Sequence, residues 1–137
     1  MTDDFASFLR RFEEANTAFM NGDPSLWLPL VSRSEQTSIF GGFGGHEVGW
    51  SQIGPRYRWA SGQFRPSGAE VEFEYLDKHV GADTAYSVAF ERCTVQYVDR
   101  PGTHPHALRA TMVFRRETTD WKIVHRHADP LSPPPTP

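Results

Sequence analysis

The apolar residues of this chain change their spacing once, after Gly62, and that change restricts the fold more than any other feature. Before it they recur every three or four positions. Phe5, Phe8, Leu9, Phe12, Ala15 and Phe19 share one helical face. The spacing predicts a helix over about 3–21, capped by Thr2 or Asp3 and stopped by Asn21-Gly22. Asp23-Pro24 reads as the cap and first-turn proline of a short second helix that holds Leu26, Trp27 and Leu28 and ends near Pro29. Thr37 to Phe40 reads as a short strand. Gly41-Gly42-Phe43-Gly44-Gly45 then leads into a third helix with Trp50, Ile53, Tyr57 and Ala60 as its stripe. Pro55 inside that stripe predicts a kink, or a restart after Gly54.

Beyond Gly62 the pattern alternates. Four runs rich in Val, Phe, Tyr, Thr and Ile, at about 70–80, 83–99, 106–117 and 120–129, read as antiparallel strands. Val80–Asp83 and Glu117–Asp120 are hairpin turns by their spacing. Helices first and antiparallel strands afterwards make an α+β fold. Three helices packed into a curved sheet form a cone-shaped barrel with an open mouth. One domain is expected over 1–130. Residues 131–137, four of them proline, read as an extended tail.

Composition narrows the partners. Hydrophobic residues make up 38% and charged residues 23% of 137, which suits a globular chain with one core rather than a disordered one. Fourteen basic against seventeen acidic residues leave a net charge of −3, which argues against a nucleic-acid partner. No apolar run approaches the ~18 residues of a membrane span. The start lacks the basic and apolar blocks of a signal peptide. Cys93 is the one cysteine, so neither an internal disulfide nor a cysteine zinc cluster is available. The expected location is the cytoplasm.

Hairpin pairing predicts which side chains face inward. Around Thr118-Thr119, Arg116 opposes Trp121, Phe114 opposes Ile123, Met112 opposes His125 and Ala110 opposes His127. His125 and His127 therefore join the core face. Arg109, Thr111, Arg115, Lys122 and Arg126 fall on the outer face. In the earlier hairpin Tyr86 opposes Asp77, Val88 opposes Tyr75, Phe90 opposes Phe73 and Arg92 opposes Val71. That places Arg92 on the apolar face, with Glu72, Glu74 and Glu91 outside. A buried arginine needs a carboxylate partner or a ligand in a cavity. Asp77 and Asp129 are the expected internal partners, and a planar carboxylate is the expected ligand.

This order of elements, with Ala89-Phe90-Glu91-Arg92-Cys93-Thr94, the Trp121–His127 strand and a short Asn21-Gly22-Asp23, resembles the nuclear transport factor 2-like superfamily and its SnoaL-like group. It also resembles the association domain of calcium/calmodulin-dependent kinase II. The resemblance implies a cystatin-like α+β cone, usually dimeric through the outer sheet face. The superfamily hosts isomerases, cyclases, dehydratases and non-catalytic binding domains, so the fold alone does not select a function. Arg92 matches a pocket arginine of the kinase association domain, which binds small carboxylates there. Met112 and Ala128 stand where that domain has two more arginines. The first helix lacks the tyrosine that ketosteroid isomerases use as an oxyanion donor.

Three readings of function follow. The first is a small-molecule-binding protein doing cofactor-free acid–base chemistry of an isomerase, cyclase or dehydratase type on a small anionic or carbonyl compound. His125 or His127 would be the base or acid, Asp129 or Asp77 would orient it, and Arg92 would steady negative charge. Trp50, Tyr57, Tyr75, Asp77 and Met112 would line the pocket. The second is a ligand-binding or assembly module without turnover. The third is a metal-dependent enzyme on His125-x-His127, which would need a third ligand. A homodimer is expected, joining the basic outer stripe to Glu72, Glu74 and Glu91. Neither a cofactor nor a membrane partner is expected.

Overall fold

The structure, a computed structural model, describes residues 4–135, so the expected caps Thr2 and Asp3 lie outside the described residues. Helix α1 runs Asp4–Phe19 and buries Phe5, Phe8, Leu9, Phe12 and Ala15, the face its spacing predicts. It closes as a Schellman turn: Asp23 N–H donates to Ala18 O and Gly22 N–H to Phe19 O. Gly22 has φ +90°, and a Cβ there would lie 2.6 Å from Phe64 O, so only glycine fits.

The expected second helix is a 3₁₀ turn, Leu28–Leu30, with Pro29 inside it. The molecule therefore has two α-helices among the described residues, not three. Helix α2, Trp50–Ser61, runs unbroken through Pro55 rather than restarting after Gly54. The residue before the proline is glycine, which has no Cβ for the ring to crowd. Ser61 Oγ also anchors the last turn by donating to Phe19 O, 2.9 Å away.

Seven strands form the sheet: β1 Ser38–Phe40, β2 Glu47–Val48, β3 Phe64–Arg65, β4 Glu72–Val80, β5 Thr84–Tyr97, β6 His104–Glu117 and β7 Asp120–Pro130. The order is β2-β1-β7-β6-β5-β3, with β4 also on β5. The last four strands are antiparallel as expected, while β1 adds to β7 in parallel. The concave face wraps α1. Phe8 and Phe12 meet Phe114 edge-on at 5.6 and 5.9 Å.

Two bulges overturn the predicted facing. In the β4–β5 hairpin the register slips between Tyr75 and Asp77, so Tyr75 pairs with Ala89 and Phe73 with Glu91. In the β6–β7 hairpin it slips between Val113 and Phe114: Phe114 pairs with Ile123 as expected, but Met112 pairs with Arg126 and Ala110 with Ala128. One extra residue flips every side chain beyond it. Strand β5 itself alternates without a break, and its buried set is the small Ala85, Ser87 and Ala89 followed by Glu91, so Arg92 is on the convex outer face and Glu91 inside. His125, His127 and Asp129 are outside and Arg126 inside.

Candidate functional site

The inward turn of Glu91 and Arg126 builds a buried ion pair in the cone. Arg126 forks onto Glu91, with Nη1 donating to Oε2 at 2.9 Å and Nη2 to Oε1 at 2.8 Å. Their side chains are only 10% and 5% exposed. Asn16 Nδ2 of α1 donates to Glu91 Oε1 at 3.2 Å, and Arg126 Nη1 reaches Met112 Sδ at 3.3 Å. Burial alone would raise the Glu91 carboxyl. The Arg126 charge and the bonds from Arg126 and Asn16 outweigh it and hold the group below its ordinary range. Glu91 is thus a fixed anion, and it holds the guanidinium in place.

Arg126 forms one side of a small, partly open cavity of about 60 Å³, lined also by Phe19, Ile39, Gly42, Phe43 and Tyr57. Helix α2 presents Tyr57, whose ring meets Trp27 edge-on at 5.6 Å. Burial pushes the Tyr57 hydroxyl up to about 12, so it is a neutral donor. Tyr57 Oη, Trp27 Nε1 and Glu47 Oε1 are buried without a hydrogen-bond partner. Leaving such groups unpaired costs about 1–3 kcal/mol each. Arg56, on the cavity wall, lies 3.9 Å from Glu47 Oε1, too far for a hydrogen bond. Above the site runs the Gly41–Gly45 loop. Two donors and a carboxylate with spare acceptor capacity therefore gather at one end of the cone. Among the described residues, no three His, Cys, Asp or Glu side chains converge as metal ligands.

The SnoaL-like domain family matches residues 5–133, nearly the whole chain. The chain belongs to that family. A nuclear transport factor 2-like superfamily protein from Salmonella enterica serovar Typhimurium is 26% identical to this SnoaL-like domain, with a TM-score of 0.73 over 91% of this chain and 87% of its own. A ketosteroid isomerase-like protein from Erwinia carotovora atroseptica is 15% identical, with a TM-score of 0.76 over 97% and 100%. A protein with a cystatin-like fold from Caulobacter vibrioides is 16% identical, with a TM-score of 0.70 over 96% and 90%. At such identities the last two establish the fold alone. No curated protein matches the chain.

The residues proposed from sequence divide between the two faces of the SnoaL-like domain. Tyr57 and Met112 lie inside, at the Arg126 site. Tyr75 is half-buried inside, but its hydroxyl donates to Glu13 Oε2. Trp50 packs against the core edge under Arg33, 3.3 Å from the ring centroid, and does not line the cavity. Arg92 pairs with Glu74 at 2.7 Å rather than with Asp77 or Asp129. It borders an outer depression of about 510 Å³ that neither histidine shares. Asp77 accepts from Tyr86 Oη at 2.8 Å. His125 Nδ1 bonds Ser38 Oγ at 2.7 Å, and burial keeps that imidazole below its usual range. Asp129 is held by Arg109 Nε at 2.7 Å and lies 3.6 Å from His127 Nε2. Arg92, His125 and His127 do not share one cavity.

Sequence reasoning missed Glu91, Arg126 and Glu47. One available signal was the alternation of small Ala85, Ser87 and Ala89 with large Tyr86, Val88 and Phe90. The small set is the buried one, and Ala85 packs in the cluster that holds Phe5, Phe8 and Phe12 of α1.

Proposed function

We propose that the interior end of the cone binds a small carbonyl-bearing organic molecule and does acid–base chemistry of the isomerase or dehydratase type on it. The reading is carried by Tyr57 Oη, which is on the wall of the Arg126 cavity and buried without a hydrogen-bond partner; two further such groups are close to that wall, Trp27 Nε1 on the ring that meets Tyr57 and Glu47 Oε1 beside Arg56. A ligand carbonyl oxygen accepts from Tyr57 and faces the Arg126 charge. Glu47 then takes a proton from the carbon next to the carbonyl. The bonding pair moves to the oxygen, and the enolate is stabilised by the hydroxyl and the guanidinium. In a β,γ-unsaturated compound, return of the proton from Glu47 to the γ-carbon of the dienolate completes an isomerisation; in a β-hydroxy compound, the enolate pair re-forms the carbonyl and a Cα=Cβ bond while the hydroxyl leaves with the proton from Glu47 as water, completing a dehydration. The acid–base role moves from His125 and His127, which lie on the other face, to Glu47.

Acetophenone tests this reading, with its methyl protons followed by NMR in D₂O. The wild-type protein is expected to bind it and to speed methyl exchange. Tyr57→Phe weakens binding by about 1–1.5 kcal/mol. Glu47→Gln keeps binding and stops exchange. Binding without exchange in the wild type selects the module without turnover. Absence of binding to both acetophenone and benzoate removes the interior site altogether.

A further inference from the structure

Two arginines flank one indole outside the Arg126 cavity. Arg33 Cζ lies 3.3 Å over the centroid of the Trp50 ring. Its Nη1 donates to Leu28 O at 2.8 Å and to Val31 O at 3.0 Å, so the 3₁₀ turn and the indole together fix the group. Trp50, Gly54 and Arg58 follow one another at a spacing of four on α2 and share one face of it. A Cβ on Gly54 would lie 3.1 Å from Trp50 Cε2 and Cζ2 and 3.3 Å from Arg58 Nη1. The missing side chain at Gly54 is what lets the second guanidinium lie along the same indole.

Neither guanidinium meets a carboxylate among the described residues, whereas Arg92, Arg109, Arg115, Arg116 and Arg126 each do. Carboxylates are not scarce in this chain, which has seventeen acidic residues against fourteen basic ones. Two like charges set close together without a counter-charge repel each other. Burial and the Arg58 charge both press the Arg33 guanidinium below its ordinary value. Only Nη1 of Arg33 is used by the chain, which leaves Nε and Nη2 as donors.

The missing counter-charge defines a ligand. Guanidinium forks donate best to the oxygens of carboxylate and phosphate groups. Two forks carry two positive charges, which a dianion balances and a monocarboxylate does not. The Trp50 ring covers one face of Arg33 and keeps water from it, which strengthens the bonds its free nitrogens make.

We propose that Arg33 and Arg58, set around Trp50, form a surface site for the dianionic phosphate group of a phosphomonoester. Arg33 is the fixed half of the site, and Arg58 completes it from α2. None of the three residues lines the Arg126 cavity, so the proposal does not depend on the interior reading.

The probes are inorganic phosphate and glycerol 3-phosphate, titrated by calorimetry at low salt and about pH 8, where both are dianions. Saturable binding with one site per chain is expected, and acetate should bind about ten-fold more weakly or worse. Arg58→Gln should weaken phosphate binding about ten-fold at an unchanged melting temperature. Arg33→Gln should weaken it as much, and its melting temperature reports any loosening of the Leu28–Val31 turn. Arg65→Gln is the control: Arg65 also lacks a carboxylate and bonds only Val98 O, and its loss should leave the affinity at the wild-type value. Phosphatidylcholine vesicles containing phosphatidic acid separate two sources of the phosphate group. Sedimentation of the wild type with them, lost in Arg58→Gln, assigns a lipid headgroup; binding of glycerol 3-phosphate without sedimentation assigns a soluble compound. A wild-type protein that binds neither the two phosphates nor these vesicles overturns the proposal. So does an Arg65→Gln variant as weak as Arg58→Gln, which would mean a general positive field, and so does acetate binding as tightly as phosphate.

Discussion

Glu91 and Arg92 are neighbours in sequence, as are His125 and Arg126, and in each pair the residue that turns inward carries a different energetic load from its neighbour. Arg126 is buried against a carboxylate with no other cation on it; removing it strands Glu91 in the core. Arg126→Met should therefore lower stability by about 3–5 kcal/mol, and a second change, Glu91→Leu, should recover much of it. The Arg92–Glu74 pair has side chains 44% and 54% exposed, so solvent screens it. Arg92→Met should cost less than about 1 kcal/mol. Urea denaturation of the three variants measures both values. A large loss at Arg92 with none at Arg126 would mean that the two strands face the other way. Cys93 fits the same accounting: burial pushes its thiol up to about 11, which makes it an inert filler.

At the scale of the element, the strands carry the pH behaviour. His106 of β6 sits among Phe64, Tyr97 and Phe43, and burial holds its imidazole below the usual range. The unfolded chain takes up that proton near pH 6.5, more readily than the folded one. Its contribution to stability is therefore present above about pH 6.5 and is lost as pH falls through the lowered folded value. Melting temperature should decline as pH falls below about 6.5, and His106→Gln should flatten that decline. An identical slope in the variant would remove His106 as the cause. The same strands show where sequence reading succeeds. Their existence and spans were legible to within a few residues, because alternation over nine to fourteen positions has no helical counterpart. Their facing was not. A bulge leaves the alternation on both sides of it intact and only exchanges which half is inside. Leu76 and Val124, beside the two slips, are apolar and look like ordinary strand residues. On β5 the larger side chains also point outward, against the usual expectation, because α1 already fills the cone with phenylalanine. Trp50 and Tyr57 share a helical stripe, which has no such slip, yet only Tyr57 reaches the cavity wall.

For the whole molecule, the inversion changes how two copies would meet. The sequence stripe predicted a charge-matched contact, yet its charges are satisfied within the chain: Arg109 on Asp129, Arg115 on Glu117, Arg92 on Glu74, Lys122 on Pro29 O, and Arg126 inside on Glu91. What the convex face offers instead is a row of large apolar and aromatic side chains. Tyr86, Val88 and Phe90 of β5 point outward beside Thr111 and Val113 of β6, with Phe40 of β1 beyond His125 and His127. A two-fold contact over this face would put the apolar row against itself. Burial of apolar surface does not weaken with salt, whereas a contact between charged stripes does. Light scattering should therefore give twice the 15.5 kDa chain mass, and the value should hold when sodium chloride is raised to about 1 M. Val88→Glu, in the middle of the row, should shift the protein to monomer without lowering its melting temperature by more than a few degrees, because Val88 supports no core contact of its own chain. Dissociation by salt alone would restore the charged-stripe contact. A monomer in low salt at about 100 μM would leave the convex face without a second copy, and Tyr86, Val88 and Phe90 would then need another partner.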